Sequence, residues 1–206
     1  MNKKIGFIGC GKMASAIIKG VLSACCKPDV EIKGSEVNCE IAELAHNRLG
    51  IEVLTDNRFL TMDSDVIFIA TKPNYVAQVL EEIKDELTPE KLVVSIAAGV
   101  STKKIENILG HQRVIRVMPN TPALVKEGMS GVCKGAYATE DDAEFVMKLL
   151  SGIGKCIEVS EDQIDIVTAI SGSGPAFFYQ VIEDMARAGE KLGLDYEKSL
   201  MLATQT

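Results

Sequence analysis

No Cys-x-x-Cys pair occurs in the 206-residue chain, and its six cysteines (Cys10, Cys25, Cys26, Cys39, Cys133, Cys156) follow no regular spacing. A chain of this size folds without disulfide staples, so the cysteines are expected as reduced cytosolic thiols. Basic charge is short as well: 22 Lys and Arg stand against 29 Asp and Glu, a formal net charge of −7. Binding to a phosphate backbone needs clustered cations, so neither nucleic acid nor an acidic membrane surface is an expected partner. Long apolar runs are missing too. The longest, at residues 66–70 and 92–98, fall far short of the roughly 20 residues that span a bilayer. Met1-Asn2-Lys3-Lys4 leads into a short strand and then glycines, without the apolar core of an export signal. The expected location is the cytoplasm, with no membrane segment. Histidine is scarce: His46 falls in a helical stretch and His111 in a polar loop, neither with a catalytic partner at useful spacing. No His, Cys and Asp grouping has metal-ligand spacing, so no metal is expected.

With 47% apolar and 25% charged residues, the chain can bury a sizeable core. Apolar, β-rich runs at 4–8, 31–34, 66–70, 92–96 and 113–117 alternate with helical patterns at 13–23, 39–49, 76–86 and 102–109. That alternation predicts parallel strands with crossover helices, an α/β fold. Two further β-like runs, 131–137 and 155–159, flank a helical pattern at 143–150, and the sheet is expected to continue through them. From Gln163 onward the pattern is helical only, with Ile164, Val167 and Ile170 on one stripe and Phe178, Ile182, Met185 and Ala186 on another. We therefore expect a dinucleotide-binding α/β domain over 1–161 and the start of a helical domain over 162–206. The last residues, Ser199-Leu200-Met201-Leu202-Ala203-Thr204-Gln205-Thr206, carry no helix-closing signal, so the chain is expected to stop inside a helix.

Ile8-Gly9-Cys10-Gly11-Lys12-Met13-Ala14 places Gly-x-Gly-x-x-Ala at a strand end that opens a helix. Gly9 allows the tight turn, Gly11 lets backbone approach a pyrophosphate, and Ala14 permits close helix packing, so the helix N-terminal amides face an anion. Glu36 stands at the end of the second strand, where a carboxylate either hydrogen-bonds the adenosine ribose and repels a 2′-phosphate or is simply solvated in a loop. Ser35 and Asn38 are possible donors to such a phosphate, but no Arg or Lys follows before Arg48. The chain thus leans toward NADH over NADPH. Ala70-Thr71-Lys72-Pro73 ends the strand after Asp65, at the sheet edge where open α/β folds bind ligands. Lys72 there is either a ligand to a nicotinamide ribose or substrate carboxylate, or simply solvated. Ala97-Ala98-Gly99 closes the next strand with small residues, which suits close passage of a flat ring. Two prolines bracket Asn120 and Thr121 in Met118-Pro119-Asn120-Thr121-Pro122, fixing a rigid polar loop. Ser171-Gly172-Ser173-Gly174-Pro175-Ala176 interrupts a helical pattern at a cost in stability that suggests a binding wall between domains.

In order and spacing, these motifs resemble pyrroline-5-carboxylate reductase across the whole chain. The Met-Pro-Asn-Thr-Pro and Ser-Gly-Ser-Gly-Pro-Ala runs carry most of the resemblance; the glycine motif alone would fit any Rossmann reductase. The resemblance implies that Ile8, Gly9, Cys10, Gly11, Lys12, Met13, Ser35, Glu36, Asn57, Ala70, Thr71, Lys72, Pro73 and Ala98 bind NADPH or NADH. It implies that Asn120, Thr121, Pro122, Ser173, Gly174 and Pro175 face 1-pyrroline-5-carboxylate. Hydride would pass to the C=N carbon to give L-proline, the last step of proline synthesis. No residue of the chain is nominated as a catalytic acid, and a proton donor is expected outside it. Members of the family continue into further helices that form a homo-oligomer core and a loop holding the substrate carboxylate. This chain is therefore expected to bind dinucleotide and turn over slowly. A reductase of the β-hydroxyacid type would need a lysine in the first interdomain helix, but the first lysine after Asp162 is Lys191. A non-catalytic dinucleotide-sensing module is the third reading, and the Asn120 and Ser171 loops argue against it.

Overall fold

A computed structural model describes residues 3–23 and 30–206; the expectation for Cys25 and Cys26 lies outside them. The chain opens β1 (Lys3–Ile8), α1 (Lys12–Ser23), β2 (Val30–Ser35), α2 (Cys39–Leu49), β3 (Glu52–Leu54), α3 (Asn57–Asp63) and β4 (Val66–Ile69). It continues α4 (Pro73–Ile83), β5 (Leu92–Ser95), α5 (Thr102–Leu109), β6 (Arg113–Met118), β7 (Gly128–Lys134), α6 (Glu140–Leu150) and β8 (Gly154–Glu158). The eight strands form one sheet in the order β3-β2-β1-β4-β5-β6-β7-β8. β3 through β6 pair parallel, β7 runs antiparallel to β6, and β8 parallel to β7. The strand order reverses between β1 and β4, which opens a crevice at their carboxyl ends, the usual ligand position in doubly wound sheets.

The central strands read as continuous apolar runs because helices cover both faces. All four residues of β4 are buried, as are all four of β5. Alternate side chains feed two cores. Phe7, Phe68, Val94 and Ile115 pack with α1 and α6 on one face, while Ile67, Ile69, Val93 and Val114 pack with α4 and α5 on the other. Phe7 and Phe68 stack at 4.4 Å between ring centroids. Helix starts are set by side-chain caps: Asn38 accepts from the Ile41 amide, Ser101 from Lys104, and Thr139 forms a reciprocal capping box with Asp142.

Two elements have too little length for periodicity to reveal. β3 has three residues, and α3 has seven and is started by Asp56, which accepts from the Phe59 amide at 2.9 Å. α4 begins at Pro73, three residues before the apolar pattern, because a proline lacking its N–H fits the first helical turn at no cost.

After β8 the chain is helical: α7 (Ile164–Val167), a wider turn over Thr168–Gly172, α8 (Gly174–Lys191) and α9 (Tyr196–Gln205). The expected stripes hold only in part. Ile164 and Ala186 are buried, but Ile170 and Phe178 are each 71% exposed and Met185 is also exposed. The cause is local. Ser173 donates to the Thr168 carbonyl at 2.8 Å, a five-residue π-type step that rotates Ile170 away from Ile164. A buried ion pair ties this segment to the sheet: Arg116 of β6, 4% exposed, pairs with Glu161. The second Glu161 oxygen accepts from the Thr102 amide (3.1 Å) and hydroxyl (2.7 Å) at the start of α5.

Candidate active site

The glycine loop is held in shape from several sides. Gly9 has φ +90, a conformation open to glycine, and a Cβ there would meet the Ala70 carbonyl oxygen at 3.0 Å. Its amide donates to Ser35 O at 3.0 Å, and the Ala70 amide donates to Ile8 O at 2.9 Å. The ends of β1, β2 and β4 are thereby brought to one place. At Gly11 a Cβ would meet nothing within 4 Å, so the backbone face at the start of α1 is clear for a ligand.

Beside this loop lies a cavity of about 360 Å³ lined by Ile8, Gly9, Ser35, Glu36, Asn57 and Thr71, among others. Six of the expected dinucleotide residues thus face one volume. Ser35 donates its hydroxyl to Asn57 Oδ1 at 2.7 Å, and Asn57 Nδ2 donates to Glu82 Oε2 at 3.0 Å. Thr71 Oγ1 is buried at the same wall and has no hydrogen-bond partner among the described residues, a polar group placed to meet a ligand. The clear glycine backbone, the orphaned hydroxyl and the carboxylate together fit a dinucleotide.

The expected site residues do not all share that volume. Cys10 is buried beneath the loop, and burial, with Glu36 nearby, pushes its thiol up to about 12; it is a neutral spacer at physiological pH. Lys12 lies on the exposed side of α1, in a different groove. Met13 is half-buried against the core, and Lys72, Pro73 and Ala98 are exposed at the carboxyl ends of β4 and β5. Thr55, Tyr75, Gln78 and Glu82 also line the cavity. Sequence reasoning missed them because only the β3 and α4 geometry brings them in. A rule that scores the first turns of the helix after β4 would have found Tyr75 and Gln78.

Asn120 is 8% exposed and uses both ends of its amide inside the protein. Nδ2 donates to the Ser171 carbonyl at 3.1 Å, and Oδ1 accepts from the Met129 amide at 2.9 Å. It staples the proline-bracketed loop to the Ser-Gly-Ser-Gly segment; Thr121, Pro122, Ser173, Gly174 and Pro175 do not line the cavity beside the glycine loop. Thr121 and Ser173 are exposed, Pro122 and Pro175 half-buried and Gly174 buried. Gly174 and Pro175 open α8. His46 Nδ1 is bonded to the Ile51 carbonyl at 2.7 Å, and His111 packs edge-on to Tyr137, so neither faces the cavity. No His, Cys, Asp and Glu grouping that could hold a metal ion occurs among the described residues. None of their helices is long and apolar enough to cross a membrane. The described cysteines Cys10, Cys39, Cys133 and Cys156 are free thiols.

Two family models match the chain: "NADP oxidoreductase coenzyme F420-dependent" over residues 4–99 and "Pyrroline-5-carboxylate reductase dimerisation" over residues 161–206. A pyrroline-5-carboxylate reductase of Methanosarcina acetivorans is 43% identical over 206 residues, covering all of this chain and 76% of the relative. Among solved structures, a pyrroline-5-carboxylate reductase from Coxiella burnetii superposes with TM-score 0.88 at 34% identity, covering 100% of this chain and 77% of that one. The Plasmodium falciparum pyrroline carboxylate reductase with NADP bound superposes with TM-score 0.87 at 33% identity, covering 99% and 75%. With identity of this order along its whole length, through both the glycine loop and the closing helices, the chain belongs to the pyrroline-5-carboxylate reductase family.

Proposed function

We propose that the chain reduces the C=N bond of 1-pyrroline-5-carboxylate with a reduced nicotinamide dinucleotide, giving L-proline. The observation that carries this reading is the match to pyrroline-5-carboxylate reductases along the whole chain, 43% identical in one relative. When bound, the dinucleotide supplies the hydride from its nicotinamide ring. The protein's part is to bind, align and exclude water. Gly9 and Gly11 open the backbone to the pyrophosphate, and Thr71 offers its unpartnered hydroxyl within the cavity. Glu36 offers a carboxylate to the ribose, which favours NADH over NADPH; the NADP in the Plasmodium falciparum structure supports use of the phosphorylated cofactor as well. Thr121, Pro122, Ser173, Gly174 and Pro175 form the substrate side, with Asn120 locking their two segments together. A protonated cyclic imine is already a strong electrophile, which accounts for a site built from backbone and small polar groups. In this reading residues 1–161 are the dinucleotide-binding unit, residues 162–206 build a homo-oligomer interface, and the enzyme works in the cytoplasm.

The purified protein is expected to oxidise NADH, however slowly, only when the imine is present, with proline formed in equal amount. Dinucleotide binding by calorimetry without imine-dependent oxidation would favour the non-catalytic module instead.

A further inference from the structure

Arg48 stands 38 residues after Cys10, yet its Nη2 donates to the Cys10 carbonyl oxygen at 2.6 Å. The amide of the same residue donates to Glu36 Oε1 at 2.7 Å. The two peptide groups that flank the Cys10 Cα are thus held, one by a carboxylate and the other by a guanidinium. From the guanidinium a groove of about 260 Å³ runs along the outer side of α1, and its lining includes Lys12, Lys19, Arg48 and Lys126 but no acidic side chain. Among the described residues none of these four cations has a carboxylate at ion-pairing distance. Four unneutralised cations along one groove are notable in a chain of net charge −7.

In the sequence Arg48 is the first Arg or Lys after β2, with the length of α2 as an objection to its reaching a phosphate there. The fold removes that objection, because α2 packs back along the sheet and the long side chain returns to the glycine loop. A guanidinium carries five donors in a fixed fork, and Arg48 uses one nitrogen here. The rest remain for a phosphate, which arginine binds in two-pronged fashion. Glu36, an acceptor, suits a ribose hydroxyl and opposes a phosphate at the same carbon.

We propose that Arg48, assisted by Lys12, is the 2′-phosphate site of this protein, so that Glu36 and Arg48 act as opposing determinants of the choice between NADH and NADPH. The proposal rests on the dinucleotide reading above. Adenosine fragments test it without any turnover: 2′,5′-ADP and 5′-AMP are titrated calorimetrically into wild type, Arg48→Gln, Arg48→Lys, Lys12→Gln, Glu36→Gln and Lys19→Gln. The quantity read is the ratio of the two affinities. Arg48→Gln is expected to lower the preference for 2′,5′-ADP by about tenfold or more, the size of a lost charge-assisted hydrogen bond. Arg48→Lys restores part of it, Lys12→Gln lowers it less, Glu36→Gln raises it, and Lys19→Gln, one groove length away, leaves the ratio where it was. Equal weakening of both fragments by Arg48→Gln would reduce Arg48 to a brace for the loop and overturn the proposal. An unchanged ratio would overturn it too. Failure of both fragments to bind folded wild type would instead sink the dinucleotide reading, and the proposal with it.

Discussion

Phe68 and Phe178 are the same side chain at opposite extremes: the first is fully buried between strands, the second 71% exposed on α8. Their surroundings differ in the same way. In the sheet, β4 and β5 bury every residue and two cores close over both faces. On α8 and α9, Phe177, Phe178, Val181, Met201 and Leu202 all stand more than half exposed. A contiguous apolar face of this kind marks an association surface, and the matched family model for residues 161–206 is one of dimerisation. The contrast teaches that the sheet with its covering helices closes its own core, while the helices that carry Ser173, Gly174 and Pro175 leave large apolar side chains uncovered.

The largest expected effect comes from the sheet. Phe68→Ala should cost about 3–5 kcal/mol, from lost burial and the cavity left against Phe7, read from urea unfolding. Phe178→Ala should stay within about 0.5 kcal/mol at dilutions where the chain is monomeric. At higher concentration it should shift the sedimentation coefficient downward by weakening self-association. Similar costs at the two positions in the dilute limit would break the comparison.

Next comes the joint between the units. Glu161→Ala leaves the buried Arg116 guanidinium with only Asp165, at 3.9 Å, and should cost about 3 kcal/mol, with Glu161→Gln milder because it keeps an acceptor for Thr102. Loss of helical signal before loss of the sheet, followed by far- and near-ultraviolet circular dichroism, is the expected pattern. A single common transition would mean the joint is not where the two units part. Asn120→Ala leaves the Met129 amide and the Ser171 carbonyl without their partner, at about 1–3 kcal/mol. Faster hydrogen exchange at Met129 checks that loss directly, and unchanged exchange would remove Asn120 from the joint.

The smallest effect is on the sheet's rim. Asp63 is held below the usual carboxylate range by hydrogen bonds from Lys4 and Lys33. A lowered folded-state value means that this contribution is fully present above the unfolded carboxylate value of about 4 and fades as pH falls through the lower folded value. Asp63→Asn should therefore flatten the acid limb of stability below pH about 4 by less than about 1 kcal/mol, since the pair is partly solvated. An acid limb as steep as that of wild type would place the loss elsewhere.

Much of this architecture is legible in the sequence because parallel strands covered on both faces must be apolar throughout, and Gly9 and Gly11 stand where a strand gives way to a helix. Ser35, Glu36 and Thr71 could be named for the same reason: they end or follow strands whose ends converge, whereas Asn57, after the three-residue β3, is named only through the family resemblance. What stayed hidden depends on contacts distant in sequence. Arg48 returns to Cys10 across 38 residues, Arg116 meets Glu161 across 45, and Asn120 turns inward to Met129 and Ser171. Helical periodicity gave the apolar faces of the last helices but not what covers them, and it could not foresee the π-type step that turns Ile170 outward.

The most direct test of the account is to follow a labelled hydride. The protein is incubated with 1-pyrroline-5-carboxylate and NADH carrying deuterium at the transferred position of nicotinamide C4, and the proline is analysed by mass spectrometry and NMR. The account predicts one deuterium per proline, on the ring carbon that was double-bonded to nitrogen, and loss of the transfer in Gly9→Val, where a side chain would close the glycine loop. Proline formed without the label, or label transfer surviving in Gly9→Val, would contradict it.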